Sequence, residues 1–315
     1  MKAATPILSA VAVALVACGA PEAKVRETAQ DGPRTLAEAT AGPSNVALFK
    51  TGDDDTTVYM LGTVHILHPD ISWETPAIQQ AWNEADTVFF EVDITSPDAL
   101  AEVGALFLER GFDASGKTLA DYYDASEKKT INDALTPLGL NLAAFNNMRP
   151  WYASVNITQV ALMNIGGQAE AGLEMILGKR AADDGKTMRY FESLLQQVEF
   201  ISAGTDEEQA DLLLAGVDEL TDLEASFARM IGAWYDGEPE KLANIISEAF
   251  EEVPAMAEIL LYNRNEDWAQ QLDQVIRTEP GTFFVAVGAG HLGGPNSVQD
   301  YLSERGYTVT RVTAD

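Results

Sequence analysis

The chain has 315 residues, and 49 Asp and Glu against 20 Lys and Arg give a formal charge of -29. A field of that sign repels phosphate backbones and leaves no basic patch, so nucleic acid is not an expected partner; the acidic residues alternate with apolar ones at helical spacing and read as solvated helix faces. The lone cysteine excludes an internal disulfide, and a Cys-ligated metal is excluded as well if that cysteine carries a lipid.

Met1 and Lys2 precede a short apolar run, residues 6–17, too short to span a membrane and suited to a signal peptide, residues 1–17. The run ends Leu15-Val16-Ala17-Cys18-Gly19, which resembles the lipobox of bacterial lipoproteins; that resemblance implies acylation of Cys18 as the mature N-terminus. Residues 18–44, rich in Ala, Pro, Gly, Glu and Thr, read as a flexible tether carrying that lipid. The expected location is the bacterial cell envelope, lipid-anchored and facing the periplasm, with Gly19 favouring the outer membrane. A single folded domain is expected from Asn45 to the end, roughly 270 residues, within reach of one core.

Residues 46–50 and 57–61 read as a hairpin around Gly52-Asp53-Asp54-Asp55, and its second strand runs directly into His65. A helix follows, capped by Thr75 with Pro76 in its first turn and Ile78, Ala81, Trp82 and Ala85 on one face. The strand at 87–90 carries Glu91 at its end. Strand, helix and strand here predict a βαβ unit with His65 and Glu91 on one edge of a parallel sheet, where α/β proteins bind ligands. Helical spacing covers 99–110, 119–135 and 153–180, the last stopped by Asp183-Asp184-Gly185. A strand at 187–191 again ends in a carboxylate, Glu192. Residues 206–277 are almost wholly helical, with breaks near Asp236-Gly237 and at residues 252–254. Strand 282–287, the His291 loop, helix 297–305 and strand 308–312 close the chain. The fold class expected is α/β, a central mostly parallel sheet flanked by helices with a large helical cap.

Two of the three histidines close the same pattern, a hydrophobic strand ending in G-x-x-H: Gly62-Thr63-Val64-His65 and Gly288-Ala289-Gly290-His291. Glycine at those positions suits a backbone turning sharply beneath a ligand. If the strands are parallel and adjacent, His65, Glu91, Glu192 and His291 converge at one carboxyl edge. Two imidazoles and one or two carboxylates are a plausible shell for a borderline divalent ion, Mn²⁺, Zn²⁺ or Co²⁺, with positions left for water. His68 is read as a loop surface residue. Arg149 and Arg264, each near a predicted helix start, are candidates for binding a substrate carboxylate or an oxyanion.

Two formal motif matches fail on context. Residues 111–118 satisfy the P-loop pattern, but a helix precedes them and Asp113 would face phosphate. Gly288-x-Gly290-x-x-Gly293 fits a dinucleotide fingerprint, yet no strands remain for a second half and His291 would fill the pyrophosphate turn.

The two G-x-x-H ends, Glu91, Tyr190-Phe191-Glu192 followed by Gln196, Arg264-Asn265 with Trp268, and the C-terminal Gly-Tyr strand closely resemble the TraB/GumN family from about residue 46 to 312. The family includes the animal Tiki proteins. The resemblance implies a metal-dependent peptidase acting on peptide or acyl bonds, with His65, Glu91 and His291 as metal-holding core and Glu192 or another unligated carboxylate as base. Two departures stand out: Phe191-Glu192-Ser193 replaces the usual ending in Thr, and Gly172-Leu173-Glu174 replaces Gly-Leu-Asp. A fold-level likeness to erythromycin esterases implies an alternative, a histidine activating water without metal, and a third is a tethered protein that binds a peptide without cleaving it.

Overall fold

The computed structural model describes residues 35–250 and 253–313. The expected signal peptide, Cys18 and most of the tether lie outside the described residues. Regular structure is already present before Asn45: a short helix, α1 (Leu36–Ala39), with a capping box between Thr35 and Glu38, buries Leu36 and Ala39. The last part of the expected tether is therefore part of the domain, and Leu36 joins the main core.

Six strands form one sheet in the order β4-β3-β5-β2-β1-β6. They are β1 (Leu48–Gly52), β2 (Thr56–Thr63), β3 (Thr87–Phe90), β4 (Thr187–Tyr190), β5 (Gly281–Gly288) and β6 (Thr310–Arg311). β4, β3, β5 and β2 run parallel, while β1 is antiparallel to both β2 and β6. The expected βαβ unit holds with one change: β5 lies between β2 and β3 and pairs with both. Its sequence Phe283-Phe284-Val285-Ala286-Val287 is apolar on both faces, which suits the middle of a covered parallel sheet. Phe284 and Ala286 face one core cluster, and Phe283, Val285 and Val287 face the other.

Helices cover both faces. On the first, Trp82 of α2 (Pro76–Glu84) meets Phe284 edge to face at 5.3 Å between centroids. Then come α3 (Pro97–Arg110), α4 (Ala125–Leu135), α5 (Pro150–Asn164), α6 (Leu173–Asp183), α7 (Leu194–Ile201), α8 (Asp206–Gly216), α9 (Leu223–Tyr235) and α10 (Pro239–Phe250). Next are α11 (Pro254–Ala257), a π-helical turn (Glu258–Tyr262), α12 (Asn263–Thr278) and α13 (Val298–Glu304). The second face is covered by α12 and α13 through Trp268, Leu272, Val275, Ile276, Val298 and Leu302. The expected cap exists as a separate apolar cluster that joins α4, α5 and α8 through Ile131, Leu135, Ile157 and Leu213.

Three elements differ from the sequence reading. The helix expected over 119–135 divides at Asp124, whose carboxylate caps α4. The one expected over 153–180 is two helices, α5 and α6, divided by Gly166, Gly167 and Gly172. Gly166 has φ +89°, and the stretch between bridges back at Leu67 to Gln168. A helix missing from the sequence reading, α7, begins with a capping box of Ser193 and Gln196.

Candidate active site at the carboxyl edge

The parallel strands deliver four polar residues to one edge. Glu91 follows β3, Glu192 lies two residues beyond β4, His65 two beyond β2, and His291 ends the helical turn Ala289–His291 after β5. These groups do not form one cluster of equals. They separate into a closed network around Arg264 and an open pair at His65.

Arg264 is 6% exposed and reaches in from the first turn of α12, two residues after the π-helical segment. Its Nη2 donates to Glu91 Oε2 at 2.6 Å and Glu192 Oε2 at 2.9 Å; its Nε donates to Glu192 Oε1 at 2.7 Å. Nη1 donates to the Leu260 carbonyl at 2.9 Å and lies 3.3 Å from His291 Nε2. Gln197 of α7 donates to both carboxylates at 3.1 and 3.0 Å, the Gly288 amide to Glu91 Oε1 at 2.7 Å, and the Trp268 indole to Glu192 Oε1 at 2.9 Å. Burial alone would raise the Glu91 pKa, but Arg264, the histidines and the Gly288 amide hold it well below the usual carboxylate range. For Glu192 burial prevails and the pKa is raised, against the pull of Arg264.

His291 is wholly buried, its ring 4.4 Å from that of Trp268. Nδ1 faces Asn265 Oδ1 and Nε2 faces Arg264 Nη1. One tautomer satisfies both: Nδ1–H donates to the amide oxygen, and Nε2 accepts from the guanidinium. Burial, then the Arg264 charge, lower its pKa to about 3, so this imidazole is neutral and a weak base.

His65 is different. Its Nδ1 lies 2.8 Å from Glu174 Oε1, off line for a good hydrogen bond, and the Thr63 hydroxyl donates to the same oxygen. Burial lowers its pKa, but the charge and contact of Glu174 together with the Glu91 charge outweigh it and leave it raised. The side chain is 14% exposed and lines a hollow of about 670 Å³, counted out to its open mouth. Glu174 gets there because the chain breaks between α5 and α6. The Leu173 amide donates to the Val64 carbonyl at 3.0 Å, and a Cβ on Gly172 would stand 2.0 Å from the His65 oxygen. Glu in place of Asp thus keeps contact with His65 across this tight crossing. Glycine before His65 serves packing: a Cβ on Gly62 would meet Ala289 Cα at 2.9 Å, and its φ is not positive.

A divalent ion on His65, Glu91 and His291 does not fit this donor set. Both Glu91 oxygens and both His291 nitrogens already face protein partners, and a guanidinium lies among Glu91, Glu192 and His291 where a second cation would be repelled. Among the described residues no group of three or more His, Cys, Asp or Glu is placed to hold one.

Arg264, expected to bind substrate, is instead the buried counter-ion of Glu91 and Glu192. Arg149 stands at the N-terminal boundary of α5 and pairs with Asp206 at 3.2 Å, outside both groups of site residues. His68 is at the surface beside Asp70, as expected. In the P-loop-like stretch Lys117 is held by Glu207 at 3.0 Å. Gln197, Asn265 and Glu174 complete the site.

A family model described as TraB/PrgY/gumN family matches residues 47–311. YbaP of Escherichia coli (strain K12) is 20% identical over 248 residues, 78% of this chain and 87% of YbaP. Metalloprotease TIKI2 of Danio rerio is 22% identical over 298 residues, 80% of this chain and 57% of TIKI2, so the chain spans little more than half of that relative. Metalloprotease TIKI1 of the same organism is 43% identical over 56 residues, 18% of this chain and 11% of TIKI1. No solved structure matches the chain.

Proposed function

The chain belongs to the TraB/PrgY/gumN family, and on that premise we propose that it is a hydrolase of peptide or related acyl bonds in which His65 is the general base. The observation that carries this reading is the His65–Glu174 contact, with His65 lining an open pocket. With Nδ1 turned to Glu174, Nε2 is the nitrogen left to take a proton from water. The resulting hydroxide adds to the acyl carbon, and the imidazolium, stabilised by Glu174, returns the proton to the departing amine or alkoxide. Thr63 fixes the carboxylate that orients the ring. His291 takes no proton in this scheme; with Arg264, Glu91 and Glu192 it belongs to the closed network behind the His65 turn, outside the pocket lining.

The test is turnover of a fluorogenic peptide library by wild type, His65→Gln and Glu174→Gln. General-base loss of about 10²–10⁴ is expected for His65→Gln, with at least a tenfold loss for Glu174→Gln. Equal turnover by all three would remove His65 from the chemistry.

A second reading, metal-dependent hydrolysis, is supported by the description of the two Danio rerio relatives as metalloproteases. It requires Arg264 to leave Glu91 and His291 before an ion can share them. A third expectation, a non-catalytic peptide-binding protein, is supported by the same pocket and distinguished by the absence of turnover. The lipid-anchored, periplasm-facing location is supported by the sequence around Cys18; no helix among the described residues is long and apolar enough to cross a membrane.

A further inference from the structure

The pocket beside His65 differs in composition from the rest of this highly charged chain. Its walls are Leu162 of α5, Phe227, Ile231 and Trp234 of α9, and Leu242 and Ile246 of α10. The His65 turn and residues 288–290 complete the lining. The lining contains no Asp, Glu, Lys or Arg in a protein of net charge -29. Thr63, its other polar member, is buried with its hydroxyl committed to Glu174. A charged side chain seated among these walls would lose its water with His65, already facing Glu174, as the one titratable group in the lining, whereas an apolar one would lose only unfavourable hydration.

The hollow is also bounded. Trp234 is 4% exposed and pinned by its indole N–H to the Gly62 carbonyl at 2.8 Å. Trp234, Leu242 and Ala289 also line a second, smaller hollow, so they stand as a partition between the two. On the rim, Gly290 lets α10 come close, since a Cβ there would stand 2.9 Å from Ile246 Cδ1. Space closed by a partition suits a leucine- or phenylalanine-sized group better than a long acyl chain.

We infer that this pocket selects an aliphatic or aromatic side chain next to the bond presented to His65, so the substrate class is a peptide cleaved beside a large apolar residue. The inference rests on the hydrolase reading for the word cleaved; the pocket's selectivity stands on the lining alone. Position supports the link, because the same hollow is lined by the base and by the apolar walls. A peptide whose apolar side chain is seated among these walls has its backbone within reach of His65, which shares the same lining.

The test uses the full chain carrying ¹⁵N-labelled tryptophan, with the Trp234 indole signal assigned by Trp234→Phe. Acetylated tetrapeptide amides Ala-Ala-Xaa-Ala, with Xaa as Leu, Phe, Gly, Glu or Lys, are titrated into wild type and into His65→Gln, which keeps the peptides intact. The Leu and Phe peptides should shift the indole signal with Kd values at least about tenfold below the other three, in line with the burial of one large apolar side chain. Ile246→Lys, a change at a half-buried rim position, should weaken the Leu peptide by a similar factor. Equal affinity across the five peptides, an unmoved indole, or an Ile246→Lys variant that binds as wild type would overturn the inference. Selective binding in His65→Gln together with no cleavage by wild type would uphold the pocket and sink the hydrolase reading alone.

Discussion

Replacing Arg264 by Met removes the one guanidinium shared by Glu91 and Glu192 and leaves both carboxylates buried, with Gln197, Trp268 and the Gly288 amide as their remaining donors. Breaking a buried ion pair from one side costs about 3–5 kcal/mol, because the abandoned charge stays desolvated. At about 2–3 °C per kcal/mol for a domain of this size, Tm should fall by roughly 6–15 °C. The loss should also depend on pH, with a definite sign. In wild type Glu91 is held below its unfolded pKa, so its stabilisation is present at neutral pH and is lost as pH falls below about 4.5. In the variant both carboxylates are pushed upward by burial, a penalty that is full at neutral pH and shrinks as they protonate. The gap between the two proteins should therefore narrow steadily from pH 8 to pH 5. Urea denaturation across that range measures it, and Arg264→Met/Glu91→Gln/Glu192→Gln should recover most of the loss. A variant within about 1 kcal/mol of wild type, or a loss that does not change with pH, would refute the shared-counter-ion argument.

His291, neutral with a pKa of about 3 against 6.5 unfolded, should make the protein less stable as pH falls from 6.5, by about 1.4 kcal/mol per unit. His291→Gln should remove one proton from that slope, and identical urea-midpoint slopes would contradict its neutrality. Gly172→Ala places a methyl 2.0 Å from the His65 carbonyl and should cost about 1–3 kcal/mol in denaturant while reducing turnover, since the turn that carries the base must shift; retained stability and rate would show that the crossing is loose. Cys18→Ser should release the protein from the membrane fraction into the soluble one on cell fractionation, and continued membrane association would contradict lipid anchoring.

Strand-end chemistry was readable because it depends on local pattern. Apolar runs that stop at Glu91 and Glu192, or turn at Gly62 and Gly288, announce where a parallel sheet offers its edge. The partnerships among those residues depended on what lies between elements. Glu174 meets His65 only because the chain breaks at Gly166, Gly167 and Gly172, and the apolar spacing across 153–180 concealed that break; three glycines within seven residues were the available signal. Arg264 read as a substrate-binding candidate near a helix start because α12 alone gives no hint that Glu91 and Glu192 face it from the ends of two strands. Its position converts a donor set that looks metal-binding in one dimension into a closed ion-pair network. The helix α7 was announced by Ser193 and Gln196, a capping box, and supplies Gln197 to both carboxylates. The apolar pocket has no linear signature, since its walls come from three helices and two turns.

The measurement that bears most directly on His65 as a metal-free base joins elemental analysis to activity. The purified full chain is dialysed against a strong chelator, its Mn, Zn, Co and Fe content is determined, and turnover of the best library peptide is compared before and after, beside His65→Gln. Undiminished turnover at negligible metal content, abolished in His65→Gln, is the expected result. Turnover that disappears with the metal and returns when one divalent ion per chain is restored would contradict the account.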